Sequence, residues 1–240
     1  MGNYDAVIIG FGKGGKTLAQ ELAAAGKRVA LIERSEKMFG GTCINVGCIP
    51  SKSLVHSAAL SRDMGGSFEE KTHRYELAIA EKNKLTAKLR QKNYKKLNDL
   101  PNVEIYVGVG SLRDAHTVIV ERAGTTDELK TDLIFLNTGA SPIIPPIPGL
   151  KECKYAYLSE TLLDLERLPK RLVIIGGGYI GMEFASMYQN FGSQVTVIQD
   201  GPVFLPREDE EIAADVIDKA EEKNIVIIKT AYDTFTVARL

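Results

Sequence analysis

Cys43 and Cys48 are the residues of this chain best suited to chemistry. They lie five positions apart in Gly40-Gly41-Thr42-Cys43-Ile44-Asn45-Val46-Gly47-Cys48-Ile49-Pro50. On a regular helix, two α-carbons at that spacing lie beyond the usual disulfide span of about 4.4–6.8 Å. A bridge between them needs a distorted turn, which Gly47 can supply, and a distorted bridge is a reducible one. If the segment opens a helix, the helix N-terminus favours a thiolate. Zinc binding is the rival use, but the C-x2-C spacing is missing and no His or Cys lies nearby to complete four ligands. The spacing therefore favours a redox pair, and no metal site is assigned. Cys153 has no neighbour in sequence and reads as a small buried hydrophobe or a bystander. Three cysteines do not make the disulfide framework of a secreted domain.

A second chemistry is written in glycines. Gly10-Phe11-Gly12-Lys13-Gly14-Gly15 fits G-x-G-x-x-G, and Glu33 lies 23 residues after Gly10. An apolar run precedes the glycines and a helical pattern follows them, which is the context of a dinucleotide fingerprint. Gly10 permits the tight turn, Gly12 admits a pyrophosphate against the backbone, and Gly15 lets helix and sheet approach. The helix N-terminus offers unpaired N–H groups to the phosphates, and Glu33 can accept hydrogen bonds from a ribose diol. Gly176-Gly177-Gly178-Tyr179-Ile180-Gly181 fits the same pattern, with Gln199 in the place of Glu33. Gln still bonds a ribose hydroxyl but does not repel a 2′-phosphate. No Arg or Lys cluster follows to grip one, so the nucleotide is NADH or NADPH, leaning to NADH. Two such sites imply two different dinucleotides, one of them a flavin.

The elements that must position these residues follow from the pattern. Tyr4 to Ile9 and Val29 to Ile32 read as strands around a helix over Thr17 to Ala25, a βαβ unit. Leu54 to Leu100 is helical and charged, interrupted near Gly65-Gly66. Val103 to Leu112, Thr117 to Glu121 and Asp132 to Asn137 read as a small antiparallel meander. Four of the nine prolines then fall in Ser141 to Gly149, a linker. Beyond it the first pattern recurs: strand Arg171 to Ile175, Gly turn, helix Met182 to Phe191, strand Val195 to Ile198. Gly10, Gly26 and Ile32 map onto Gly176, Gly192 and Ile198 at one offset of 166, an internal duplication. A helix over Glu210 to Lys223 and a strand over Ile225 to Ile228 follow, and Lys229 to Leu240 matches no element. The expected fold is α/β, with two Rossmann-like FAD/NAD(P)-binding units. The first carries a helical insertion and a small antiparallel β-meander, and the second is incomplete. The expected domains are 1–150 for FAD with the Cys pair, and 151–240 for NAD(P).

Composition narrows the class. In 240 residues, 44% are apolar and 25% charged, which is ordinary for a globular protein. The formal net charge of -1 gives no global pull toward nucleic acid or an anionic membrane. The basic run Lys82, Lys84, Lys88, Arg90, Lys92, Lys95 and Lys96 reads as a solvated helix face. No run of about 18 apolar residues spans a bilayer. The start lacks a secretory pattern, and the chain is expected to be cytoplasmic.

Taken together, Gly10 to Gly15, Gly41 to Lys52, Thr138-Gly139-Ala140 and Gly176 to Glu183 resemble the class I pyridine nucleotide–disulfide oxidoreductases. These flavoproteins include dihydrolipoamide dehydrogenase, glutathione reductase and mercuric reductase. Phe11 to Ala19, Leu54-Val55-His56 and Phe204 to Asp209 are closest to the branch of reactive-chlorine-resistance and hypothiocyanous acid reductases. The resemblance implies that Gly10, Gly12, Gly15, Glu33, Gly41, Thr42 and Gly110 hold FAD, with Thr138 and Gly139 closing over its nucleotide. It implies that Cys48 lies beside the flavin ring and that Cys43 is the outer thiol that meets the substrate. Lys52 would lie near the flavin N5 and pair with Glu183. Gly176, Gly178, Tyr179, Gly181 and Gln199 would hold NAD(P)H, Tyr179 covering the nicotinamide pocket. The implied activity passes electrons from NAD(P)H to FAD, to a Cys43–Cys48 disulfide, and to a small oxidant or metal-ion substrate. Family members are homodimers whose C-terminal domain supplies a His-Glu pair. This sequence has only His56, His73 and His116, none before a proline, so that domain is expected to be missing. The chain then reads as C-terminally truncated, and the alternatives are an activity like that of dihydrolipoamide dehydrogenase, glutathione reductase or mercuric reductase, a thiol sensor that uses Cys43 and Cys48 without a flavin, and an inactive dinucleotide-binding fragment.

Overall fold

The computed structural model describes residues 2–200, 204–205 and 208–230. The reading of Lys229 to Leu240 falls partly outside these residues, as do Pro206 and Arg207. The chain divides into two compact units: 1–50 with 83–141, and 51–82 with 142–240.

In the first unit the order is β1 (Gly2–Asn3), β2 (Ala6–Ile9), α1 (Lys13–Ala24) and β3 (Val29–Glu33). A 3₁₀ turn (Glu36–Met38), α2 (Thr42–Asn45) and the start of α3 (Cys48–Met64) follow. Later come the end of α4 (Phe68–Asn98), β4 (Val103–Val107), β5 (Val109–Asp114), β6 (Thr117–Arg122), β7 (Thr125–Lys130) and β8 (Ile134–Leu136). Strands β4-β3-β2-β8 form one parallel sheet. Its middle strands β2 and β3 are buried along their whole length, which is why they read as unbroken apolar runs rather than alternating ones. Phe11, Ala19, Phe39 and Leu97 close one layer with Ile8, Val29 and Leu31. Tyr4, Tyr106, Val118, Val120 and Leu129 close another with Val7, Ile9, Ala30 and Ile32.

The meander differs from the sequence expectation in two ways. The run over Val103 to Leu112 is not one strand: it breaks at Gly108, so β4 joins the parallel sheet and β5 starts the meander. A side chain at Gly108 would begin 2.5 Å from the Glu121 carbonyl oxygen, so only glycine allows that crossing. The third meander strand is β7 rather than Asp132 to Asn137, and β8 returns to pair with β2. Strand β7 is polar because only Leu129 faces the core, the remaining residues being half-buried or exposed.

The second unit contains most of α3, the first half of α4, and α5 (Ser159–Leu162), β9 (Arg171–Ile175), α6 (Tyr179–Phe191), β10 (Gln194–Asp200), α7 (Glu210–Glu222) and β11 (Val226–Thr230). Its sheet is parallel, in the order β11-β10-β9. Leu54 and Ala58 of α3 and Tyr75, Ala78 and Ile79 of α4 share one core with Phe184, Met187, Tyr188 and Phe191 of α6. Tyr75 donates to the Leu165 carbonyl at 2.6 Å, so the buried phenol is satisfied. The basic run on α4 is not wholly a solvated face. Lys82 is 2% exposed, donates to the Leu163 carbonyl at 2.8 Å and pairs with Asp164 at 2.6 Å. Among the described residues no helix is long and apolar enough to cross a membrane.

Candidate functional site

The two glycine turns are built alike. The Gly10 N–H donates to the Ile32 carbonyl at 2.8 Å and the Gly176 N–H to the Ile198 carbonyl at 2.8 Å. Both glycines take the left-handed backbone, with φ of 111° and 103°. A side chain at Gly15 would begin 2.2 Å from the Gly10 carbonyl oxygen, and one at Gly181 would begin 2.2 Å from that of Gly176. The residues at the ends of β3 and β10 serve their turns in the same way. Glu33 accepts from the Phe11 N–H at 3.0 Å, and Gln199 accepts from the Gly177 N–H at 2.7 Å. Glu33 is buried and its other oxygen accepts from the Ser35 N–H at 3.3 Å.

Both turns suit an anionic dinucleotide. Helices α1 and α6 start at Gly12 and Gly178 with no side-chain cap and no acid in the first turn. Their first N–H groups and their partial positive charge are therefore left for a phosphate. Asn137, which the sequence reading passed over, sits on the first turn. It donates to the Gly10 carbonyl at 3.1 Å, and its side chain meets the space a Cβ would take at Gly12, Gly14 and Gly15. The signal for it was a lone amide ending an apolar strand just before Thr138-Gly139. Thr138 and Gly139 are exposed in the segment after β8, and Gly139 has open space on its side-chain side. Gly110 lies in β5 with Ile9 and Ile32 about its α-carbon, at 3.2 and 3.3 Å from where a Cβ would stand. Tyr179 is the first residue of α6 and is exposed. A hydrogen bond with Glu208 pushes its phenol up. With Gly176, Gly178, Ile180 and Gly181 it lines a groove of about 780 Å³.

The cysteines sit on either side of a broken helix. Helix α2 carries Cys43 and ends at Val46 (φ -139°), and Cys48 opens α3. Gly47 folds back on Thr42, whose carbonyl oxygen would stand 3.0 Å from a Cβ there. Asn45 fixes the loop: it donates to the Phe39 and Gly41 carbonyls at 3.1 and 2.9 Å and accepts from Arg90 at 2.8 Å. No disulfide joins the two sulfurs in this structure. A hydrogen bond with Cys48, and then burial, push the Cys43 thiol up, while Lys13 and Lys16 pull it back. Gly41 lies directly on the first turn, where a side chain would begin 2.5 Å from the Gly12 α-carbon. Among the described residues no group of three His, Cys, Asp or Glu could hold a metal ion.

In the second unit, Lys52 and Glu183 meet at 2.7 Å, and Ser51, which the sequence reading did not single out, donates to the same carboxylate oxygen at 3.2 Å. Glu183 is mostly covered and Lys52 is exposed.

A family model described as pyridine nucleotide-disulphide oxidoreductase matches residues 4–236. The chain is 47% identical over 232 residues to the probable pyridine nucleotide-disulfide oxidoreductase RclA of Escherichia coli (strain K12), covering 97% of this chain and 50% of that protein. It is 37% identical over 235 residues to a mercuric reductase of Lysinibacillus sphaericus, covering 95% of this chain and 42% of that one. Among solved structures it resembles the Cu(II) complex of the HOCl-induced flavoprotein disulfide reductase RclA from Escherichia coli. The TM-score is 0.89 at 46% identity, over 97% of this chain and 50% of that one. The chain thus spans about half the length of these relatives.

Proposed function

Because the chain belongs to the pyridine nucleotide-disulphide oxidoreductase family, we propose that it carries the cofactor-binding and thiol machinery of an FAD-dependent NAD(P)H:disulfide oxidoreductase. The family implies FAD and a pyridine nucleotide, and the duplicated turns give each a fitting cradle. In this reading Gly10, Gly12, Gly15, Glu33, Gly41, Thr42, Gly110, Thr138 and Gly139 hold FAD. Gly176, Gly178, Tyr179, Gly181 and Gln199 hold the nicotinamide nucleotide, NADH before NADPH because no basic pair follows Gln199.

When bound, FAD supplies two-electron exchange between the nicotinamide and a disulfide. The residues of the chain do the rest. Cys48, at the start of α3, would be the thiol that serves the flavin when it is bound, and Cys43 the thiol that meets the substrate. Lys52 pairs with Glu183, whose same carboxylate oxygen also accepts from Ser51, and presents a cation there. The observation that carries the reading is the pair of thiols hydrogen-bonded across a helix break, in the unit that also bears the Glu33-braced glycine turn. The overall exchange is NAD(P)H, a proton and the Cys43–Cys48 disulfide giving NAD(P)⁺ and two thiols. The relatives support a small oxidant or an oxidised metal ion as the final acceptor, one being described as HOCl-induced and solved with Cu(II), another as a mercuric reductase.

The test is a thiol count. The chain is loaded with FAD, its pair is oxidised with diamide, and one equivalent of NADH is added without oxygen. Two thiols per chain should appear, and none should in Cys48→Ser. A chain that binds FAD and yields no thiols is a dinucleotide-binding module, and the reductase reading fails for it.

A further inference from the structure

We infer that Lys13 and Lys16 are positioning residues for the Cys43 thiol, a cationic pair that favours its ionised form and draws anionic electrophiles to it. The inference rests on the reading above, in which Cys43 is the thiol that meets substrate.

The cluster is set by backbone contact. Gly41, the N-cap of α2, lies against Gly12, the N-cap of α1. The first turn of α2, with Cys43 as its second residue, therefore starts beside the first turn of α1, whose first and fourth residues are Lys13 and Lys16. Asn93 of α4 fixes the second lysine on this side. It accepts from Lys16 Nζ at 2.5 Å, donates to the Leu89 carbonyl at 2.7 Å, and stands 3.4 Å from where a side chain at Gly40 would begin. No acid lies in the first turn of either helix to neutralise the pair.

The electrostatics agree with the placement. Burial pushes the Lys16 ammonium down, Cys43 pushes it back up, and Lys96 of α4 and Lys13 press it down further. Facing Cys43 are Lys13 and Lys16 from α1 and Cys48 from α3, whose hydrogen bond works against ionisation. The lysines are thus the charges that oppose the resting preference for the neutral thiol. A nearby opposite charge stabilises a thiolate, and the same charge raises the local concentration of an anion.

The duplication shows that the turn itself does not require them. At the same offset of 166, α6 carries Tyr179 for Lys13 and Met182 for Lys16 and still forms the same turn. The cations accompany only the glycine turn that touches a cysteine loop.

The test alkylates the thiols of the unloaded 240-residue chain with anionic iodoacetate and with neutral iodoacetamide. In each case the Cys43 sulfur displaces iodide, and the adduct is located by fragment-ion mapping. For Cys43, the iodoacetate-to-iodoacetamide rate ratio should fall about three-fold or more in Lys13→Gln/Lys16→Gln, and the midpoint of its iodoacetamide pH profile should rise by about half a pH unit. The Lys13→Arg/Lys16→Arg chain should keep both values. In the unaltered chain the ratio at Cys43 should fall between about 0.02 and 0.5 M salt, while the ratio at exposed Cys153 stays flat. An unchanged ratio and midpoint in the Gln variant would overturn the inference, as would Cys43 and Cys153 responding alike to salt if that variant does not fold. Neither readout uses FAD or NADH, so failure of the electron relay and failure of this inference are separate results.

Discussion

Glu33 and Gln199 occupy one position in two copies of the same turn, and each accepts the N–H that follows the first glycine. The shared bond separates the structural task of the residue from its charge. Glu33→Ala leaves the Phe11 N–H without its acceptor and should cost about 1–3 kcal/mol in urea unfolding. Glu33→Gln should stay within about 1 kcal/mol of the parent, because Gln199 already makes that bond in the second copy. Gly15→Ala puts a methyl group 2.2 Å from the Gly10 carbonyl, and Gly181→Ala does the same at Gly176. The first should abolish FAD binding and spare NADH, and the second the reverse, measured by equilibrium titration of each variant. The glycines and Glu33 were legible in sequence because their tasks are local and their spacing is fixed. Asn137 was not, because it reaches Gly10 only after the chain has travelled 127 residues. Lys82 misled for a related reason: a lysine in a basic run reads as solvent-facing, and its burial depends on a carbonyl 81 residues away.

At the scale of elements, the break between α2 and α3 matters most, since it lets two cysteines five residues apart meet. Gly47 signalled it in advance. The core of the second unit depends in turn on helices that precede the proline-rich segment, through Tyr75. Burial pushes the Tyr75 phenol up to about 12. Its folded form is therefore held neutral beyond the ordinary tyrosine range, near pH 10. The stability this contributes is fully present below pH ~10 and is lost as the pH rises toward ~12. Tyr75→Phe should cost about 1 kcal/mol at pH 8, from the hydrogen bond to Leu165. Its deficit against the parent should shrink across that alkaline window, read from urea midpoints at each pH. The parallel strands β2, β3, β9 and β10 were legible as apolar runs. The meander was legible in β5 and β6 but not in its third strand, because β7 turns polar residues to solvent and the apolar run after it, β8, pairs with β2 instead.

At the scale of the whole chain, two units repeat one dinucleotide-binding design, and only the first carries the cysteine loop. Family membership rests on a match from residue 4 to residue 236, while the relatives are about twice as long as this chain. The central claim is that the two turns hold two different dinucleotides, and calorimetric titration tests it directly. The purified 240-residue chain is titrated with FAD to saturation and then with NADH. The account predicts one FAD and one NADH per chain, with the second isotherm unchanged whether or not FAD is present. Binding of neither ligand, or competition of the two for a single site, would contradict it.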